Sequence, residues 1–267
     1  MIRFDVLTLF PDMFSAVLGD SIIKRAADKG LIEMNFINIR DFSENKHKKT
    51  DDYPYSGGGG MLMTPQPIYD AYQSIAKGLD YKPYTIYMSP CGRVFDQKTA
   101  VELSGYKHIV ILCGHYEGID ERALQELDAE FISVGDYVLT GGELPAMILV
   151  DAVSRLVPGV LHNDTSAETE SFESGILEYP QYSRPEVWEK EAVPKVLLSG
   201  DHKKVDEWRR VQAILRTYER RPDLLSNLHF KKADLKLLKR VEMSEKEKKI
   251  LKKLLQEHMD SDKISTL

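Results

Sequence analysis

Three glycine-bearing loops hold the residues of this sequence that are best placed to bind a ligand. They are SPCGR (89–93), CGHYEGID (113–120) and SVGDYVLTGGELPAM (133–147), and the first two follow short runs typical of β-strands, while the third begins as one. Glycine costs conformational entropy and adds nothing to a core, so its repeated use beside apolar residues indicates a close approach to the main chain. For one loop, a tight turn is the simpler explanation; three loops together favour a ligand site.

The surrounding pattern predicts the elements that position these loops. Ile2, Phe4 and Val6 alternate with polar residues as in a strand, and residues 11–30 follow with a helical pattern from a proline to a glycine. Further β-rich runs, YTIYMS and KHIVILCG, are separated by helix-like segments. Strands that alternate with helices predict an α/β fold with a mostly parallel sheet. Because the carboxyl ends of parallel strands share one edge, we expect the three loops to meet in one crevice.

Known nucleotide motifs do not account for these loops. The run GGGG (57–60) lacks the Gly-Lys-Ser/Thr ending of a phosphate loop, and no Gly-x-Gly-x-x-Gly follows a strand. Bare backbone instead suits an adenine edge or a carboxylate. The two cysteines, Cys91 and Cys113, fit neither a disulfide framework nor a zinc site.

Composition and hydropathy indicate a soluble cytoplasmic protein. The net charge of −6 argues against a protein that coats nucleic acid, although a local basic patch remains compatible with RNA binding. The opening MIRFDVLTLF does not resemble a signal peptide, and Asp151 interrupts the apolar run AMILV, so no membrane segment is expected.

The polar segment HNDTSAETESFESG (162–175) follows a predicted buried helix over 143–161 and has no periodicity. It predicts a linker over 161–173, between an α/β domain (1–160) and a helical domain (174–267). The second domain ends in a lysine-rich helical tail from Phe230.

Several longer motifs carry a resemblance to a known family. They include DDYPYSGGGGMLM, CGHYEGIDER, GDYVLTGGELPAM, EYPQYSRP and RTYERRPDLL, in this order. Over residues 1–225 the sequence resembles the bacterial tRNA (guanine-N1)-methyltransferases, the TrmD family of the SPOUT class. The resemblance implies a deep trefoil knot, a homodimer with active sites between subunits, and methylation of the guanine immediately 3′ of the anticodon, at position 37 of tRNA.

The resemblance also implies the site residues. S-adenosylmethionine (AdoMet) is the expected methyl donor, and Mg²⁺ is expected as an accompanying ion without residues assigned to hold it. The implied cofactor-binding residues are Pro90, Gly114, Tyr116, Gly118, Val134, Gly135, Asp136, Tyr137, Val138, Leu139, Gly141, Gly142 and Pro145.

Methylation of N1 needs a base for its proton and a positive partner for O6. Arg155 matches the family arginine at O6, although a cation at a helix end is the alternative explanation. The family has Asp before Ser-Phe in the linker, and here Glu170 stands there; Glu168 is the substitute if the alignment shifts. Two smaller departures are Ser56, where the family has glycine, and Cys91, where it often has glutamine.

Arg209, Arg216 and Arg220 recur at helical spacing, which suits the phosphates of a tRNA anticodon stem-loop or simply makes a solvated face. The lysine-rich tail extends beyond the shared motifs, as a capping helix or a further RNA contact. Two other functions stay open: a different SPOUT RNA methyltransferase, and an RNA-binding module without catalysis.

Overall fold

The computed structural model describes residues 1–55, 57, 59–161, 170–172, 174–226, 232–241 and 243–259. Its internal contacts divide the chain into two units, Met1–Asp164 and Thr165–Leu267. Most of the expected linker, residues 162–169 and 173, lies outside the described residues.

A five-stranded parallel sheet forms the centre of the first unit. The strand order is β2-β1-β6-β5-β7, and every neighbouring pair runs parallel. This confirms the predicted α/β class with a parallel sheet. The strands are β1 (Ile2–Thr8), β2 (Ile32–Asn38), β5 (Tyr84–Val94), β6 (His108–Cys113) and β7 (Glu130–Ser133), while the two-residue strands β3 (Asp51–Asp52) and β4 (Leu62–Met63) form a separate antiparallel pair.

Helices cover both faces of the sheet, which is why its central strands are largely apolar: every residue of β6 is buried. One core cluster joins the sheet to the helices α1 (Asp12–Leu18), α2 (Ser21–Asp28), α4 (Gln97–Ser104) and α6 (Glu143–Ser154). The other joins it to α3 (Pro65–Ala76) and α5 (Glu121–Glu126).

Two helix predictions need correction. The pattern over 11–30 forms two helices, because Asp20 adopts an extended backbone and its side chain accepts a hydrogen bond from the Ser21 N–H. The helix expected over 143–161 ends at Ser154. Beyond it the chain makes turns, and Gly159 has a positive φ of +84°.

The second unit is mainly helical in its described part. A short hairpin of β8 (Val187–Trp188) and β9 (Glu191–Ala192) precedes a 3-10 turn over Lys195–Leu198. The helices are α7 (His202–Arg220), α8 (Pro222–Leu225), α9 (Lys232–Arg240) and α10 (Glu245–Met259).

The lysine-rich tail forms part of this unit's core. Leu238 of α9 and Leu254 of α10 are buried with Val211 and Ile214 of α7. The Arg210 guanidinium donates to both carboxylate oxygens of Asp234, at 2.9 and 3.2 Å. The tail therefore packs on α7 as a cap, and a further RNA contact through its lysines stays a prediction.

No helix among the described residues is both long and apolar enough to cross a membrane.

Candidate functional site

The three glycine-bearing loops meet at the carboxyl ends of β5, β6 and β7. They enclose a cavity of about 310 Å³. Asp136 is the one implied cofactor-binding residue that does not line it. The lining includes Pro90, Gly114, Tyr116, Gly118, Val134, Gly135, Tyr137, Val138, Leu139, Gly141, Gly142 and Pro145.

The first loop is an excursion within β5. Met88 and Arg93 both pair with Ile132 of β7, so the residues between them leave the ladder and project toward the cavity. A Cβ on Gly92 would lie 2.3 Å from the backbone nitrogen of Ile132. Glycine is therefore required here because the excursion returns directly against β7.

Close approach also explains the glycines of the other two loops. A Cβ on Gly114 would lie 2.7 Å from the Tyr87 hydroxyl, and one on Gly142 would lie 2.7 Å from Cα of Cys113. The Gly142 N–H donates to the Gly114 carbonyl at 3.0 Å. In each case the close neighbour is another part of the protein, so these glycines let the loops pack on one another and leave their peptide groups at the cavity wall.

The run GGGG packs against the second loop. Gly60, at φ +85°, lies against the Glu117 side chain, whose Oε1 would be 2.3 Å from an added Cβ. The Glu117 N–H donates to the Met61 carbonyl at 2.9 Å, which joins this segment to the second loop. Ser56 and Gly58 lie outside the described residues.

Several cavity residues were not singled out as ligands from the sequence. Cys91 is exposed at the cavity, whereas burial raises the pKa of the Tyr87 hydroxyl beside it. The cavity residues that the sequence did not single out all lie in or next to the three glycine-bearing loops. Their position beside these loops is the sequence signal that could have identified them. These residues are Tyr87, Met88, Ser89, Cys91, His115, Glu117, Ile132, Ser133 and Thr140.

A family model described as tRNA (Guanine-1)-methyltransferase TrmD matches residues 2–227. The chain is 56% identical over 226 residues to the tRNA (guanine-N(1)-)-methyltransferase of Ruminiclostridium cellulolyticum, an alignment that covers 85% of this chain and 97% of the relative. It is 56% identical to the protein of that name from Clostridioides difficile over 83% of this chain and 96% of the relative. It is 45% identical to the protein of that name from Lachnoclostridium phytofermentans, over 93% of this chain and 100% of the relative.

The chain belongs to the TrmD family. The family model ends before α9 and α10, so the capping helices of the second unit extend beyond the part that it describes.

Arg155 of this TrmD chain does not lie at its own cavity. Gly142 is the N-terminal cap of α6 and lines the cavity, whereas Arg155 is the C-terminal cap of the same helix. At 1.5 Å of rise per residue these ends are ~20 Å apart, farther than an arginine side chain reaches.

Glu170 is half-buried and lies in the second unit, beside an anchored turn. The Phe172 N–H donates to the Ile176 carbonyl at 2.8 Å, and Ile176 is buried in the helical core. The Leu177 N–H donates to Thr217 Oγ1 of α7 at 2.9 Å. The turn is therefore held by α7, while the substitute Glu168 lies outside the described residues.

The three arginines chosen for RNA contact all lie on α7. Arg220 is exposed and Arg216 half-buried. Arg209 is ion-paired with Asp206 at 3.2 Å and lies 5.0 Å from the centre of the Tyr179 ring. Their role in RNA binding stays a prediction.

A larger cavity, of about 960 Å³, lies within the second unit between α7 and the tail. Four of its charged lining residues form two ion pairs, Lys204 with Asp201 at 3.1 Å and Arg240 with Glu207. With Lys195, Lys203 and Glu247 the lining has four cations and three anions, and this near balance favours no one class of ligand, so the loop cavity is the better candidate site.

Proposed function

We propose that this chain transfers the methyl group of AdoMet to N1 of guanine 37, immediately 3′ of the anticodon in tRNA. Family membership makes it a tRNA (guanine-N1)-methyltransferase. The observation that supports the detailed proposal is the cavity where the three glycine-bearing loops meet, because its lining includes nearly all the implied cofactor residues.

The cavity suits AdoMet in size and chemistry. Its volume of about 310 Å³ is within the range of small-molecule sites. Val138, Leu139 and Pro145 supply apolar surface at the cavity, and the glycine backbones supply amides and carbonyls for the adenine edge and the carboxylate. AdoMet, when bound, supplies an electrophilic methyl group on its sulfonium.

The substrate chemistry is assigned to Glu170 and Arg155. Glu170 accepts the N1 proton of guanine, and Arg155 stabilises the negative charge that then develops on O6. A carboxylate is a weak base for this proton, so stabilisation of O6 must accompany proton loss.

The position of Arg155 supports a homodimer in which each active site takes residues from both subunits. Arg155 lies ~15 Å along α6 from Pro145, the last residue of that helix that lines its own cavity, by the helical rise. The neighbouring helices α1 and α6 also expose apolar side chains at helical spacing. Met13 and Val17 of α1 are 43% and 57% exposed, and Leu144 and Ile148 of α6 are 50% and 46% exposed. Paired apolar faces of this kind suit a two-fold interface.

The path of the chain after β7 supports the expected SPOUT trefoil knot. From this edge strand the chain crosses back to the loop after β6, where His115 and Gly141 form an antiparallel bridge. Helix α6 then packs against β1 and β6 in the middle of the sheet. We propose that this return threads the knot.

The helical second unit is proposed to bind the anticodon stem-loop through the arginine face of α7. An anticodon loop is single-stranded, so its bases can turn out into a pocket. Because tRNA is a cytoplasmic substrate, we propose that the enzyme acts there. Among the described residues, no three His, Cys, Asp or Glu side chains are grouped to hold a metal, so no step is assigned to Mg²⁺.

The test is to map the methylated base on a tRNA transcript incubated with the protein and labelled AdoMet. We expect label at N1 of guanine 37, and none on a transcript with adenine there. Label on a ribose or another base would indicate a different SPOUT methyltransferase. RNA binding without AdoMet binding would indicate a non-catalytic module.

A further inference from the structure

A buried acid lies directly behind the cavity. Glu143, the first residue of α6, is 1% exposed and does not itself line the cavity. Its Oε1 accepts a hydrogen bond from Thr8 Oγ1 at 2.7 Å, and its Oε2 lies 2.8 Å from His115 Nε2. Glu143 therefore joins the end of β1, the loop after β6 and the start of α6.

The contacts around Glu143 form a closed ring. Thr8 Oγ1 accepts the Phe10 N–H at 2.9 Å, which leaves the Thr8 hydroxyl hydrogen for Glu143. The Phe10 ring meets the His115 ring edge-on, with 4.8 Å between centroids. The His115 imidazole is therefore held both by the Glu143 carboxylate and by the Phe10 side chain, which follows the end of β1.

Burial of a carboxylate is costly unless its oxygens are hydrogen-bonded. Both oxygens of Glu143 have partners, and the helix N-terminus favours a negative charge in the first turn. An apolar residue would fill this space at lower cost. The acid contributes one thing that an apolar residue cannot: a fixed acceptor for His115.

The pair also supports the third loop. A Cβ on Gly141 would lie 2.3 Å from His115 Nε2 and 2.6 Å from Glu143 Oε2. The two side chains thus occupy the space beside Gly141, whose backbone lines the cavity. A shift of the imidazole would move the wall that faces the ligand.

We propose that Glu143 is a positioning residue that fixes His115, and through it the backbone of Gly141 and Gly142, in the form that binds AdoMet. The proposal rests on the proposed function, since it takes AdoMet as the ligand. With Nε2–H donated to Glu143, a neutral His115 carries its lone pair on Nδ1. The carboxylate thereby sets the tautomer as well as the orientation of a ring in the cavity wall.

Glu143→Gln tests this proposal. Because Thr8 Oγ1 accepts the Phe10 N–H, its hydroxyl hydrogen favours the glutamine oxygen as its acceptor. In that orientation the glutamine NH₂ faces His115 Nε2, so the ring proton moves to Nδ1. We expect the ¹⁵N resonances of the His115 ring to report that change of tautomer. We expect AdoMet affinity to fall on the order of 10–100-fold, the loss of one charge-assisted hydrogen bond. The single-turnover rate at saturating AdoMet should stay within about threefold of wild type, because bound substrate is still positioned for attack.

Thr8→Val and Thr8→Ser provide a second route if Glu143→Gln folds poorly. The valine removes one donor to the carboxylate and should weaken AdoMet binding. The serine keeps the hydroxyl and should restore the affinity.

A matched control lies on β1, the strand that ends at Thr8. Asp5 and His108 form another buried acid–histidine pair, with Oδ2 and Nε2 2.6 Å apart, but His108 opens β6 at the opposite edge of the sheet. Asp5→Asn should lower the melting temperature without changing AdoMet affinity.

If Glu143→Gln lowers the melting temperature as Asp5→Asn does and leaves AdoMet affinity unchanged, Glu143 is only a structural residue and the proposal is wrong. Unchanged ¹⁵N resonances of His115 would contradict it equally. If wild type neither binds AdoMet nor methylates guanine, the proposed function fails instead, and the tautomer measurement still shows whether Glu143 controls His115.

Discussion

Gly142 and Arg155 cap opposite ends of one helix. Gly142 opens α6 at the cavity wall, and Arg155 ends it, ~20 Å away by the rise of an α-helix. This separation supports the proposal that each active site takes its arginine from a second subunit.

Mixing two inactive variants tests this sharing. One chain carries Gly141→Val, which disrupts its own cavity, and the other carries Arg155→Ala. If Arg155 serves the partner's cavity, each mixed dimer has one intact site, and random exchange of subunits should restore about one quarter of wild-type activity. If activity does not recover after subunit exchange has been verified, each chain uses its own arginine. A fully active monomer in light scattering would exclude the dimer.

Gly141→Ala should weaken AdoMet binding, since its Cβ would fall 2.3 Å from His115 Nε2. The matched control is Gly105→Ala at the end of α4, where the nearest atom would be 3.3 Å away. Calorimetric titration with AdoMet should separate the two variants, with the control close to wild type. If the two variants bind AdoMet with equal affinity, a displacement of the third loop at Gly141 does not affect the cofactor site.

The two cysteines should differ in reactivity. Cys91 is exposed at the cavity, whereas Cys113 is fully buried in β6, and burial raises the pKa of its thiol. A raised pKa keeps that thiol protonated and unreactive at neutral and mildly alkaline pH. We expect an alkylating reagent to modify Cys91 alone in the folded protein and both thiols in denaturant, as counted by mass spectrometry. AdoMet should slow the modification of Cys91; no protection would place the ligand away from the first loop.

The local sequence pattern predicts most strands of the sheet, but it does not predict the side-chain contacts behind the cavity. The apolar runs of β5 and β6 identified them as strands, and their glycine-rich ends indicated the site. No strand was predicted over β2, whose Asn35 side chain gains its role from a 2.7 Å hydrogen bond to Asp5. Thr8 and Glu143 are 135 residues apart in sequence, so no periodicity relates them.

Leu254→Ala should destabilise the second unit, because Leu254 of α10 is fully buried in its core. Truncation of a buried leucine costs about 2–5 kcal/mol, a large fraction of the stability of a small unit. We expect an earlier melting transition together with unchanged AdoMet affinity in the first unit. The exposed Lys252→Ala on the same helix is the control. If both variants melt as wild type does, the tail does not contribute to the core as described.

Glu170 is the assignment on which the proposed chemistry depends most, and substitutions that keep its size test it. Glu170→Gln retains the shape and hydrogen bonding of the side chain but cannot accept the N1 proton. Single-turnover methyl transfer should therefore fall by roughly two to four orders of magnitude, with little change in AdoMet or tRNA binding. Glu170→Asp restores the family residue with a shorter reach and should retain more activity than glutamine does.

Glu168→Gln is the matched control two residues away, and it should be nearly silent if Glu170 is the base. A dead Glu168→Gln beside an active Glu170→Gln would move the base to Glu168. Near-normal rates for both would mean that the proton leaves by neither carboxylate, even though O6 could still be stabilised by Arg155.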